Sequence, residues 1–94
     1  MPRKRKIINI GLLMKYLKPW MKEALKLLAA INEPVTTGEI LEKLIENDIE
    51  VTHSQLLHWL KRLEKYGLIK RYKIGYYRKY AWQLTEEIKN QIKQ

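Results

Sequence analysis

The sequence predicts a small, mostly helical α+β domain: a three-helix core, then a β-hairpin, with a short extra helix at each end. Three observations predict it. Apolar residues recur at three- and four-residue spacing through most of residues 7–66, the pattern of helices that each bury one face. Two runs rich in β-branched and aromatic residues, 68–74 and 76–84, are separated by Gly75, as in two strands joined by a tight turn. A chain of 94 residues has room for one core, so all of these elements must share it.

Each element follows from local chemistry. Residues 7–17 carry Ile7, Ile8, Ile10, Leu12, Leu13, Met14 and Leu17 and predict a short helix whose weak point is Gly11. Pro19 disfavours helical geometry at Lys18 but suits the first turn of a new helix, so a break is expected there. The first core helix, 19–31, places Trp20, Ala24, Leu27, Leu28 and Ile31 on one broad face. Asn32-Glu33-Pro34 reads as a turn and Val35-Thr36 as a very short strand, after which Thr37 is the expected N-cap of a second helix, 38–46. That helix sets Ile40, Leu41, Leu44 and Ile45 against Glu39, Glu42, Lys43 and Glu46. Asn47-Asp48 favours a turn, and Thr52 with Gln55 has the spacing of a capping box, so a third helix is expected over 53–66, ending at Gly67. Thr85 followed by Glu86 and Glu87 reads as the cap and acidic first turn of a last helix, 86–92. The expected organisation is a flexible basic arm at 1–6 and one domain at 7–94, with its core at 19–84 and accessory helices at 7–17 and 86–92.

The formal net charge is +9 and the isoelectric point about 9.8, so the surface attracts polyanions. The excess is polarised. Residues 19–57 hold three basic residues against seven acidic ones, whereas 58–80 hold eight basic residues against Glu64 alone. With no cysteine, disulfides, thiol chemistry and Cys-based zinc sites are excluded. No apolar run approaches the roughly 18 residues of a membrane span, and no signal-peptide cleavage site follows Met1, so a cytoplasmic, nucleoid-associated address is expected. Richness in Ile, Lys, Glu and Tyr leans toward a thermophile.

The inventory for catalysis is poor. His53 and His58 are five apart, about 140° around a helix, and do not form the i, i+4 pair of a zinc site. Glu86 and Glu87 are accounted for by a helix N-terminus. The expectation is a protein that is not an enzyme, with no cofactor, metal or small-molecule effector.

The order helix, short strand, helix, turn, helix, hairpin resembles the winged helix-turn-helix superfamily. Thr36-Thr37-Gly38-Glu39-Ile40 looks like its T-x-x-E-I start of the second helix. Val51-Thr52-His53-Ser54-Gln55-Leu56 is similar to the opening of its recognition helix, and residues 60–69 resemble the L-x-x-L-E-x-x-G-L-I stretch that ends it. The likeness covers about residues 19–88 and extends to small archaeal and bacterial transcriptional regulators of the MarR and PadR type and to regulators of archaeal viruses. It implies a DNA-binding regulator whose wing lies along the backbone and can reach the minor groove.

With Leu56 as the core direction, Leu60 and Leu63 fall within about 40° of it on the third helix, while Ser54, His58, Lys61 and Lys65 fall within about 40° of the opposite direction. Arg62 lies on the flank. Such an outer face suits the major groove, where side chains meet base edges. Ser54, Gln55, His58, Lys61 and Arg62 are the candidates for base or nearby phosphate contact, and Lys65 for phosphate. On the hairpin, Lys70, Arg71, Lys73, Arg78 and Lys79 are phosphate candidates, with Tyr77 near the tip the best aromatic ligand. The remaining tyrosines fit ordinary strand propensity, with one or two expected to pack on the third helix. Arg3, Lys4, Arg5 and Lys6 form a possible basic arm that adds nonspecific affinity, follows a minor groove or simply solubilises the chain.

The expected function is therefore sequence-specific binding of double-stranded DNA in transcriptional regulation. The alternatives are a winged-helix docking module of a larger assembly and a nonspecific, chromatin-type DNA-binding protein. A homodimer through residues 7–17, with 86–92, is expected because that apolar surplus exceeds what a minimal three-helix core needs.

Overall fold

In the computed structural model, which describes residues 10–75 and 79–93, the chain runs α1 (Ile10–Lys15), α2 (Pro19–Ala30), β1 (Val35–Thr36), α3 (Thr37–Glu46), α4 (His53–Lys65), β2 (Ile69–Ile74), β3 (Lys79–Leu84) and α5 (Glu86–Lys93). This is the expected α+β order. The basic arm at 1–6, residues 7–9 of the first expected helix and the hairpin residues Tyr76, Tyr77 and Arg78 lie outside the described residues.

The core is built where the helical periodicities converge. α2 contributes Ala24, Leu25, Leu28 and Ala29, α3 Ile40 and Leu44, and α4 Leu56, Trp59, Leu60 and Leu63. α3 packs on both α2 and α4, while α5 packs on α2 and on α1. Trp20 meets Trp59 edge to face, with ring centroids 5.2 Å apart, closing the core beside α2. Leu13, Met14 and Leu17 of the α1 region and Ile88 and Ile92 of α5 join this same core, so much of the apolar surplus of both accessory helices is buried within the chain.

The strands form one antiparallel sheet in the order β1-β3-β2. Val35 opposes Trp82 and Thr36 opposes Ala81, while β2 pairs with β3 from Ile69 opposite Leu84 to Ile74 opposite Lys79. Ile69, Leu84, Trp82 and Val35 are buried, which makes theirs the sheet face turned to the helices. Trp82 carries its indole N–H into the core and satisfies it by donating to Thr37 Oγ1 at 2.9 Å, tying the sheet to the first turn of α3.

That bond corrects the expected cap. Thr37 is buried inside the helix, and the N-cap is Thr36: its Oγ1 accepts from the Glu39 backbone N–H at 3.2 Å, and Glu39 Oε1 accepts from the Thr36 N–H at 3.1 Å. A second correction concerns Ile45, which amphipathic spacing assigns to the core but which is 59% exposed. The buried stripe of α3 is narrow, running through Ile40 and Leu44, and Ile45 lies one step past its edge. Thr85 precedes α5 as expected, but its hydroxyl donates to the Leu68 carbonyl at 3.3 Å, joining the start of α5 to the turn after α4.

Both helices of the helix-turn-helix unit end in the same way. After α4, Gly67 adopts φ +79° while its N–H reaches Glu64 O and the Leu68 N–H reaches Leu63 O, which is a Schellman motif. After α3, Asp48 occupies the equivalent left-handed position at φ +59°, with its N–H on Ile45 O and that of Ile49 on Leu44 O.

Candidate nucleic-acid interface

The geometry of α4 sorts its side chains into two roles. Leu56, Trp59, Leu60 and Leu63 are buried, while Ser54, His58, Lys61, Arg62 and Lys65 are all exposed on the outer side, as the periodicity predicts. The helix is anchored at its start by the expected capping box, in which the Thr52 N–H donates to Gln55 Oε1 at 2.9 Å and the Gln55 N–H to Thr52 Oγ1 at 3.1 Å. Gln55 is thus exposed, but its carbonyl oxygen serves the cap.

The hairpin lies against this helix. Lys61, His53 and Leu57 of α4, Arg71 of β2, and Lys79 and Tyr80 of β3 line one cleft of about 290 Å³. Its remaining wall includes Trp82, Thr36 and Thr37, so the Trp82–Thr37 bond holds the cleft together. Cations from the helix and from both strands of the hairpin therefore converge on one concavity. Arg71 is fixed there: its Nε donates to Glu64 Oε2 at 3.1 Å, and its guanidinium carbon stands 4.6 Å from the centroid of the Tyr80 ring. Glu64, the lone acid of the basic stretch, positions an arginine across the helix–hairpin junction.

The other sequence candidates are distributed around this cleft. Lys73 shares the helix-side face of β2 with Arg71, whereas Lys70 alternates onto the opposite face with Tyr72 and Ile74; Lys79, paired with Ile74, starts from that opposite face too, yet lines the cleft. All of these side chains except the buried Ile69 at the start of the strand are exposed. Tyr77 and Arg78 lie outside the described residues, as do Arg3, Lys4, Arg5 and Lys6. Sequence reasoning missed His53, Tyr80, Thr36 and Leu57 as neighbours of the basic residues, because only the pairing of β2 with β3 against α4 brings them together.

A different surface follows the α3–α4 turn. Ile45, Ile49 and Val51 line an open furrow of about 700 Å³ with Asp48 and Glu50 on its walls. The acidic carboxylate with a shifted titration lies elsewhere: the Thr36 N–H and hydroxyl bonded to Glu39 hold its carboxyl below the usual range, with Lys79 and Lys43 adding to the effect. Among the described residues, no group of three or more His, Asp or Glu side chains is placed to hold a metal ion, and no helix is long and apolar enough to cross a membrane.

No family model and no curated protein matches this sequence. A solved structure is similar, that of the ferric uptake regulator of Vibrio cholerae, with a TM-score of 0.66 and 18% identity over 83% of this chain and 62% of that one. This chain thus spans less than two thirds of that neighbour's length. At this identity the likeness shows the fold, a small α+β winged-helix arrangement, and nothing finer.

Proposed function

We propose that this chain binds double-stranded DNA sequence-specifically as a transcriptional regulator, with α4 in the major groove and the hairpin on the backbone. One observation carries the reading: Lys61 of α4 and Arg71 and Lys79 of the hairpin meet in a single cleft beside the exposed outer row of α4. Helix and wing then offer a duplex one continuous cationic surface. The similar regulator from V. cholerae is described as having DNA-binding domains, which agrees with this use of the fold. Ser54 and His58 face the base edges, Lys65 and Arg62 serve the flanking strand, and Lys73 extends the contact along the hairpin. In this reading the protein acts by binding and turns over no substrate.

Titration of duplex DNA at several salt concentrations tests this. With about five phosphates neutralised, log affinity falls against log salt with a slope of about −4 to −5, and a duplex selected from a random pool binds at least about a thousandfold tighter than unselected DNA. Lys61→Ala with Arg62→Ala weakens binding while leaving thermal stability nearly unchanged, because exposed charges add little to folding. Equal affinity of variant and parent would assign binding to another face.

The furrow at the α3–α4 turn favours a second reading, a docking module, since Ile45 is 59% exposed there between carboxylates. A docking module binds DNA weakly and without sequence preference, and the same titration separates the two.

A further inference from the structure

We propose that the cleft between α4 and the hairpin is a seat for one sugar-phosphate unit, gripped by Lys61, Arg71 and Lys79. The source of that phosphate, a DNA backbone, rests on the reading above. The claim goes further in assigning Lys61 to the backbone and leaving base reading to Ser54 and His58.

Four features carry it. First, three cations from three different elements line one concavity and no carboxylate is among the lining residues. The nearest acids are engaged behind it: Glu64 by Arg71 Nε, and Glu39 by the Thr36 cap. Among the described residues, neither Lys61 nor Lys79 forms an ion pair, although Lys79 is near enough to Glu39 to help hold its carboxyl down, so both ammonium groups keep N–H donors for an incoming anion.

Second, Arg71 is already oriented by Glu64 on one side and the Tyr80 ring on the other, so an anion need not immobilise it. Its Nε is spent on Glu64, which leaves the terminal nitrogens for a phosphate oxygen. Third, His53 adds a ring N–H donor on the wall, which suits the several oxygens of a phosphate. Fourth, the cleft is larger than a bare oxyanion needs. At about 290 Å³ it is just under the roughly 300–1,000 Å³ of small-ligand pockets, and its Leu57, Tyr80 and Trp82 surfaces offer an apolar wall to a sugar ring.

The experiment uses the full chain and three probes: deoxyribose 5-phosphate, deoxyribose alone, and a random-sequence duplex. NMR follows the Trp82 indole N–H, a built-in reporter on the cleft wall, with the amides of Thr37, His53 and Lys61. Deoxyribose 5-phosphate and the duplex are expected to shift these signals, and the uncharged sugar not. The duplex salt slope then counts phosphates. If Lys61, Arg71 and Lys79 grip the same one, replacing all three by glutamine flattens the slope by about 1, whereas three independent phosphate contacts would give about 3. A change of about 2 or 3, or none, overturns the seat. So does a parent that binds the duplex without moving the cleft signals, and in that case DNA binding itself stands. A parent that takes the sugar phosphate but not the duplex supports the seat with a free ligand as its source and sinks the DNA reading. Binding of neither probe overturns both.

Discussion

At the scale of single residues, the strongest constraints come from polar groups taken out of water. Lys89 of α5 is only 6% exposed, and its Nζ donates to Asn32 Oδ1 in the turn before β1. A buried ammonium that loses its acceptor costs about 1–3 kcal/mol, so Asn32→Ala is expected to lower stability by that amount in chemical denaturation. Lys89→Met keeps the unbranched apolar stem and removes the charge, and should cost less than Asn32→Ala. Thr36 gives a second case. Removing its hydroxyl by Thr36→Ala breaks the capping box at a cost of about 1 kcal/mol. The Thr36 backbone N–H first, and its hydroxyl second, lower the Glu39 pKa in the folded chain, so their contribution is present above the ordinary carboxylate value and is lost as pH falls through the depressed one; Thr36→Ala removes the hydroxyl's share alone. Melting temperatures followed from neutral pH into acid should therefore fall less steeply in Thr36→Ala than in the parent.

At the scale of elements, the helix-turn-helix unit is defined by how its helices stop. Gly67 and Asp48 hold equivalent left-handed positions, yet one is the residue type that adopts this conformation freely and the other is not. Asp48→Gly is expected to raise stability by about 0.5–1 kcal/mol, read from the denaturation midpoint, because the left-handed cost disappears. A loss of stability instead would show that the Asp48 side chain contributes more to the turn than its backbone strain removes. The starts of α3 and α4 are a matched pair of capping boxes, Thr36 with Glu39 and Thr52 with Gln55. The second was legible because Thr52 is the one threonine before that helix. At the first, Thr36 and Thr37 stand side by side, and sequence alone favoured the wrong one. What decides between them is Trp82, forty-five residues away from Thr37, whose indole N–H claims the Thr37 hydroxyl.

At the scale of the whole molecule, the question is which surfaces remain for partners. The apolar residues of the two accessory helices suggest a homodimer, but Leu13, Met14, Leu17, Ile88 and Ile92 pack into their own core. A homodimer through residues 7–17 and 86–92, still our proposal, must therefore use what is left over, including Tyr16 at 85% exposed. Sedimentation at high micromolar concentration decides it: twice the chain mass is the expected result, and a single-chain mass would remove the proposal. The charge pattern acts at this scale too. A basic stretch at 58–80 is visible in the sequence, but a stretch is not a surface until strand pairing folds it back on the helix.

By itself, the sequence determined the order of elements, the buried and exposed sides of α4, the turn at Gly67 and the polarity of charge, because each depends on residues a few positions apart and on the fixed periods of helix and strand. Only the tertiary structure decided that Arg71 is oriented by Glu64 and Tyr80, that Thr37 belongs to Trp82 and Lys89 to Asn32, and that Lys61, Arg71 and Lys79 line a cleft that Lys70 does not. Those relations join distant segments, and no local preference encodes them: they follow from how the sheet docks on the helices once the core has closed.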